Sequence, residues 1–131
     1  NQQSYYQQCK KEAAGNIVFA GRLTQTALAN YYARARVHVL PSWFETCGLS
    51  SLEAAAMGCN IVITAKGYTR DYFGDEAFYC DPGKPASIRE AVMQAATTAT
   101  PMQLANSIKT NYTWERAAAM TLSAYQTVLH S

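Results

Sequence analysis

Residues 37–64, VHVLPSWFETCGLSSLEAAAMGCNIVIT, decide the fold. Two apolar runs, Val37–Leu40 and Asn60–Thr64, lie at its ends, and each is typical of a strand buried inside a sheet. Between them come a loop and a run of small residues, 48–57, that ends at Gly58 and is typical of a helix. This order predicts two parallel strands joined by a right-handed crossover.

The same alternation extends outward in both directions. Upstream, we expect a helix over residues 5–14, a buried strand over 17–20, and a helix over 27–35 capped by Thr24. Downstream, residues 77–80 predict an edge strand, and the tail from 85 to 131 is helical with breaks near 100–101 and 111–112 and a new start at Thr113. The expected class is α/β, with a mostly parallel sheet in three layers and a helical C-terminal tail.

Composition excludes several classes of protein. Of the 131 residues, 49% are hydrophobic, which is enough to form one core. The chain is too short for two ordinary domains. A net charge of +2, with scattered basic residues, does not predict a nucleic-acid partner. The longest apolar runs fall far short of the roughly 20 residues that cross a membrane. The first residues show neither an initiating Met nor a secretory pattern, so we expect the chain to begin inside a longer protein.

The four cysteines, Cys9, Cys47, Cys59 and Cys80, are too widely spaced for a Cys-x-x-Cys metal or redox pair. We interpret them as free thiols that act as small buried hydrophobes. In the absence of a secretory segment, this favours a cytoplasmic location.

Open parallel sheets bind ligands beyond the carboxyl ends of their strands, where three predicted loops lie: residues 21–25, 42–48 and 65–72. The middle loop carries Glu45, and the helix after it carries Glu53. If that helix starts near Gly48, the backbone N–H groups of Gly48, Leu49 and Ser50 face the loop and favour an anion. Glu53 could then accept from hydroxyl groups beside the anion, such as a vicinal diol of a sugar.

Structural alternatives remain open at this point. Ser50-x-x-Glu53 is also a capping-box pattern, which would make Glu53 a cap, and Glu45 could be a solvated loop acid. Cys47 as a reactive thiolate is disfavoured because no histidine has an evident reason to pair with it. His38 lies in the middle of a strand, which favours packing over catalysis.

The motifs resemble the C-terminal half of the group 1 family of retaining glycosyltransferases. The residues that carry the resemblance are Phe19-x-Gly21-Arg22-Leu23, Val37-x-Val39-x-Pro41-Ser42, Glu45-x-x-Gly48-Leu49-x-x-x-Glu53-Ala54-x-Ala56-x-Gly58, Gly67-x-x-Arg70-Asp71-x-x-Gly74-Asp75, and Tyr112-x-Trp114. They extend over nearly the whole chain, and their order and spacing are specific.

This resemblance implies a GT-B fold, in which two Rossmann-like domains face each other and the C-terminal one binds the nucleotide sugar. Residues 1–131 would be part of that second domain, and the acceptor-binding N-terminal domain and the first strand-helix unit would be absent. By the same resemblance, Glu45 would be the catalytic residue at the donor sugar, and Glu53 would accept from the ribose hydroxyls. Contacts to the sugar and diphosphate would fall to Thr46, Cys47, Gly48 and Leu49, and contacts to the nucleobase to Gly21, Arg22 and Leu23.

The resemblance further implies transfer from a nucleoside-diphosphate sugar to an acceptor glycan, glycolipid or small molecule, with retention and without a cofactor or required metal. The basic residues that clamp the diphosphate in the family would precede residue 1, so we expect the isolated chain to be inactive. Thr46 departs from the Gly or Ser common at its position and adds a β-branched side chain to the sugar site. Enzymes of the family commonly attach to the inner face of the membrane through the N-terminal domain, and whether this protein does so stays open.

Two competing hypotheses use the same residues. Sugar-nucleotide epimerases share the GT-B scaffold, and a non-catalytic Rossmann-like module could pair with another protein. The spacing of Glu45 and Glu53 around Gly48-Leu49 favours the transferase.

Overall fold

The computed structural model describes residues 2–100 and 102–130, which form a parallel sheet with helices on both faces. The three strands lie in the order β1-β2-β3. They are β1 (Val37–Leu40), β2 (Asn60–Thr64) and β3 (Phe78–Cys80). The helices are α1 (Gln2–Glu12), α2 (Gln25–Arg34), α3 (Leu49–Ala56), α4 (Thr69–Phe73), α5 (Pro85–Thr97), α6 (Met102–Asn111) and α7 (Trp114–Leu129).

The central strand β2 is buried along its whole length, and it pairs in parallel with both neighbours. Its side chains alternate between two cores, as the pleat of a strand requires. Ile61 and Ile63 belong to a core that includes residues of α2, α3 and α6, whereas Val62 belongs to a second core with residues of α5. This arrangement confirms the predicted three layers, and β3 confirms the predicted edge strand.

The predicted strand over residues 17–20 was wrong. These residues form no strand, and Ile17 and Val18 are 53% and 80% exposed. An apolar run becomes a strand only where the edge of another strand is available for its hydrogen bonds. The run pairs with none of the described strands, and Phe19 instead packs edge-on against Tyr6 of α1, with the ring centroids 5.6 Å apart.

The helices follow the sequence more closely. The Thr24 hydroxyl caps α2 by accepting from the Ala27 N–H, and Thr113 caps α7 by accepting from the Arg116 N–H. The predicted tail breaks separate α5, α6 and α7, although Pro101 and Ser131 lie outside the described residues. The short α4 was not predicted, because its five residues begin without a side-chain cap. No helix in the described ranges is both long and apolar enough to span a bilayer.

Asn60 fastens α5 to the sheet. Its side chain is 1% exposed, and its amide donates to the Ala95 carbonyl at 2.7 Å and to the Thr98 carbonyl at 3.0 Å. The guanidinium of Arg36 also donates to Thr98 and to the Ala96 carbonyl. Carbonyls at the end of a helix have no partners within the helix, so these two side chains satisfy the C-terminal turn of α5.

Replacing Asn60 with Ala should lower the free energy of unfolding by about 2 to 3 kcal/mol, because it removes two buried hydrogen bonds and leaves the Ala95 carbonyl unpaired. Urea unfolding followed by circular dichroism measures the change. Asn106→Ala on the exposed face of α6 is the matched control and should change stability by about 0.5 kcal/mol or less. A loss for Asn60→Ala no larger than the control's would contradict this role.

His38 is half-buried on β1, as its position in the strand indicated. Its Nε2 lies 3.1 Å from the hydroxyl oxygen of Ser51 on α3, and its ring stands edge-on to Tyr32 at 5.6 Å. Burial lowers the pKa of His38 below its usual value of 6.5, because the charged imidazolium loses its hydration. His38 therefore packs in the neutral form between the sheet and two helices.

The lowered pKa of His38 makes stability depend on pH. Below pH 6.5 the unfolded chain binds a proton at this position more readily than the folded chain, so the free energy of unfolding should fall as the pH decreases from 7.5 to 5.5. His38→Gln should flatten this dependence, whereas His130→Gln, at an exposed position, should leave it intact. Equal pH slopes in the wild type and His38→Gln, from urea titrations, would refute the assignment.

Candidate functional site

Two of the predicted loops are joined at the carboxyl edge of the sheet. The Glu45 N–H donates to the Lys66 carbonyl at 3.0 Å, and the Tyr68 N–H donates to the Glu45 carbonyl at 3.1 Å. Gly67, between them, has a φ of 109°, and a Cβ there would overlap the Glu45 carbonyl. Only glycine combines this conformation with so close an approach. The Glu45 backbone is therefore fixed against the loop that follows β2.

The start of α3 is capped by Glu45. Gly48 is the N-cap residue, with a left-handed φ of 68°. One Glu45 carboxylate oxygen accepts from the Thr46 and Gly48 N–H groups, both at 3.1 Å, and the other accepts from the Ser42 hydroxyl at 3.4 Å. Glu45 is thus a bonded side chain and not the solvated acid of the structural alternative.

The capping box of Ser50 and Glu53 does not form, because it requires Ser50 to be the N-cap residue. The N-cap residue of α3 is Gly48, two residues earlier. The prediction of three unpaired N–H groups is corrected at Gly48, whose N–H is bonded to Glu45. Within the described part of the chain, the N–H groups of Leu49 and Ser50 meet no acceptor. The helix start thus keeps two N–H donors for a ligand, and the Glu45 carboxylate offsets only part of its positive dipole.

A cavity of about 760 Å³ lies beside this helix start. Of the predicted site residues, it brings together Cys47, Leu49 and Glu53. Ligand sites commonly have volumes of about 300 to 1,000 Å³ and a mostly apolar lining with a few polar groups, which this cavity matches. Leu49 and Glu53 are exposed on the face of α3 that points away from the sheet, so both are accessible to a ligand.

The other predicted residues lie outside the lining of this cavity. Glu45, Thr46 and Gly48 belong to the adjoining loop, where Gly48 connects Cys47 to Leu49. Residues 21–23 follow the run that forms no strand, and Gly21 and Arg22 are exposed. From that segment only Gln25, at the start of α2, reaches the cavity. The structure thus brings the two loops of the sheet edge together and leaves the proposed nucleobase loop apart from them.

The C-terminal segment supplies cavity residues that the sequence did not predict. Tyr112, Trp114 and Arg116 line it together with Tyr72 of α4. The Tyr112 hydroxyl donates to the Asp71 carbonyl at 3.4 Å, and the rings of Tyr72 and Tyr112 lie 5.2 Å apart. The Tyr112-x-Trp114 motif at the start of α7 was the available signal, although it appeared only as part of the resemblance.

Two local interactions set the polarity around the helix start. The neighbouring thiol of Cys47 is the main cause that raises the pKa of Tyr72 above its usual value of 10.0, so the Tyr72 phenol stays protonated at neutral pH. On the loop before α3, the Lys66 ammonium lies 5.4 Å from the centre of the Trp43 ring and 3.9 Å from Asp81. Lys66 therefore already has partners on the loop side.

All four cysteines are free, and Cys59 and Cys80 are buried as small hydrophobes, as predicted. Cys9 and Cys47 are only partly buried. Over residues 2–100 and 102–130, no three His, Cys, Asp or Glu side chains are grouped so that they could hold a metal ion. The residues described above offer carboxylate acceptors, helix-end N–H donors and an aromatic wall.

Comparison with known proteins identifies relatives of this chain. The family described as Glycosyl transferases group 1 matches residues 1–98. The O-antigen chain mannosyltransferase B of Escherichia coli is 29% identical over 118 residues, which are 86% of this chain and 30% of that protein. The D-inositol 3-phosphate glycosyltransferase of Arthrobacter sp. (strain FB24) is 35% identical over 104 residues, which are 75% of this chain and 25% of that protein.

The solved structure of sucrose-phosphate synthase from Thermosynechococcus elongatus superimposes with a TM-score of 0.84 and 21% identity over 98% of this chain and 34% of that one. This likeness confirms the expected fold, a GT-B-like partial domain. The chain spans about a third or less of each of these proteins. Because the family match covers 98 of its 131 residues, the chain belongs to the group 1 glycosyltransferases.

Proposed function

We propose that this chain is the donor-binding part of a retaining glycosyltransferase, which transfers a sugar from a nucleoside diphosphate to an acceptor hydroxyl. The observation that carries the proposal is the position of Glu53 and the start of α3 on one cavity. The N–H groups of Leu49 and Ser50 favour an anion, and Glu53 lies one turn further along the same exposed helix face. A diphosphate next to a ribose presents this order of charge and hydroxyl groups.

The proposed roles follow from what each group can do. Glu53 accepts from the ribose hydroxyls, and Thr46, Cys47, Gly48 and Leu49 lie against the diphosphate and sugar. Backbone amides aimed at the leaving group stabilise the charge that develops on it without any reorganisation during the reaction. Positive character from a helix end supports a reaction in which no metal is required.

Glu45 is proposed as the catalytic carboxylate at the donor sugar. Its backbone is held from both sides by residues 66–68, and its carboxylate is held by the N–H groups of Thr46 and Gly48. A carboxylate fixed in this way stabilises positive charge on the sugar ring as the bond to the diphosphate breaks. The departing phosphate then assists deprotonation of the acceptor on the same face, which gives retention.

Contacts to the nucleobase are proposed for Gly21, Arg22 and Leu23, and from this segment the nearby Gln25 reaches the cavity. The acceptor-binding domain, the first strand-helix unit and the basic residues that clamp the diphosphate are proposed to belong to the remainder of the protein. On this proposal residues 1–131 bind the donor weakly and do not transfer sugar by themselves.

Glu53→Gln should weaken nucleotide binding to this chain by about 1 to 3 kcal/mol, because a charged hydrogen-bond acceptor is lost. Ligand-observed NMR with UDP, GDP and ADP measures the dissociation constants and identifies the preferred base. Glu90→Gln, at an exposed position on α5 outside the cavity, is the matched control and should bind like the wild type. A lower melting temperature with unchanged affinity would show that Glu53 is only structural.

Glu45→Gln in the full-length enzyme should reduce kcat at least tenfold while donor affinity changes much less, because the lost charge acts mainly in the transition state. The amide oxygen of Gln can still accept from Gly48, so the loop should keep its conformation. Steady-state kinetics with a radiolabelled donor separates kcat from KM, and Glu90→Gln again serves as the control. Small and equal losses in both constants would refute the catalytic role.

A further inference from the structure

Arg116 is the one basic side chain among the described residues that line the cavity, and Glu53 is the one acidic side chain. Arg116 lies in the first turn of α7, where the Thr113 hydroxyl accepts from the Arg116 N–H at 3.2 Å and fixes the backbone. Neither residue 116 nor the turn around it was assigned a role from the sequence. Arg116 is exposed, so its guanidinium is hydrated in the free protein and open to an anionic ligand.

Three other basic side chains, on the segments that follow β2 and β3, already have partners. Lys66 and Lys84 pair with Asp81, and Arg70 pairs with Asp75 and lies over the ring of Tyr79. Arg116 makes no ion pair with any residue of the described ranges, and it stays exposed to the cavity. Its charge is therefore available to a ligand.

A chain of contacts links the start of α7 to the start of α3. Tyr112, four residues before Arg116, donates to the Asp71 carbonyl and packs against the ring of Tyr72. Tyr72 in turn lines the same cavity as Cys47, which directly precedes the N-cap residue of α3. The turn that carries Arg116 is thus anchored to the same end of α3 whose N–H groups are unpaired.

We propose that Arg116 binds the diphosphate of the nucleotide donor, together with the unpaired N–H groups at the start of α3. The inference rests on the proposed function and adds a residue to its site. A guanidinium donates two parallel hydrogen bonds to phosphate oxygens and keeps its charge at every physiological pH. The helix start alone supplies only about half an elementary charge, which is less than a diphosphate carries.

The test compares ligands that differ only in their phosphates. Uridine, UMP and UDP, or the corresponding series for the base that binds best, are titrated onto the wild-type chain, Arg116→Gln and Arg116→Lys. We expect the wild type to bind the diphosphate at least tenfold more tightly than the nucleoside. Arg116→Gln should lose most of this preference and leave nucleoside affinity unchanged. Arg116→Lys should retain part of the preference, because the Lys ammonium keeps the charge but cannot donate two parallel hydrogen bonds as the guanidinium does.

Arg89→Gln on α5 is the matched control, since it removes the same charge at an exposed position outside the cavity. Circular dichroism verifies that each variant is folded. If Arg116→Gln binds the diphosphate like the wild type, or loses nucleoside and diphosphate affinity equally, the inference is overturned while the proposed function stands. If the wild type binds neither ligand, the proposed function fails and the inference fails with it.

Discussion

The site depends on the two backbone hydrogen bonds that join Glu45 to residues 66–68. Because β1 and β2 are parallel, the loops that follow them emerge at the same edge of the sheet. Parallel pairing alone would leave these loops free to move independently. The bridge removes that freedom, and the absence of a side chain at Gly67 is what allows the loops to approach so closely.

A fixed Glu45 backbone in turn defines how α3 begins. The carboxylate of Glu45 reaches the Gly48 N–H, and Gly48 takes the left-handed conformation that turns the chain into the helix. A larger residue at 48 would be strained and would also contact Ile63 of β2 and the side chain of Glu45 itself. One carboxylate therefore ends the loop, caps the helix and leaves the next two N–H groups unpaired.

The sequence predicted the elements that are specified locally. The apolar runs of β1 and β2, the cap Thr24 and the helix start at Thr113 all lie where the pattern placed them. The local pattern could not decide whether residues 17–20 form a strand, because a strand also needs pairing with another strand that is distant in sequence. Likewise, Ser50-x-x-Glu53 is a valid capping pattern locally, but the bridge at Glu45 starts the helix two residues earlier.

Residue size on α3 explains why the site faces a cavity and not the core. Ser51, Ala54 and Ala55 lie on the buried side of the helix, and their small side chains let α3 approach the sheet closely. Leu49 and Glu53, which are one turn apart, consequently share the opposite side. A larger residue at 54 or 55 would push the helix away from β2 and move its N-terminal donors out of reach of Glu45. The ligand-binding geometry is therefore set from the buried side of α3, by residues that touch no ligand.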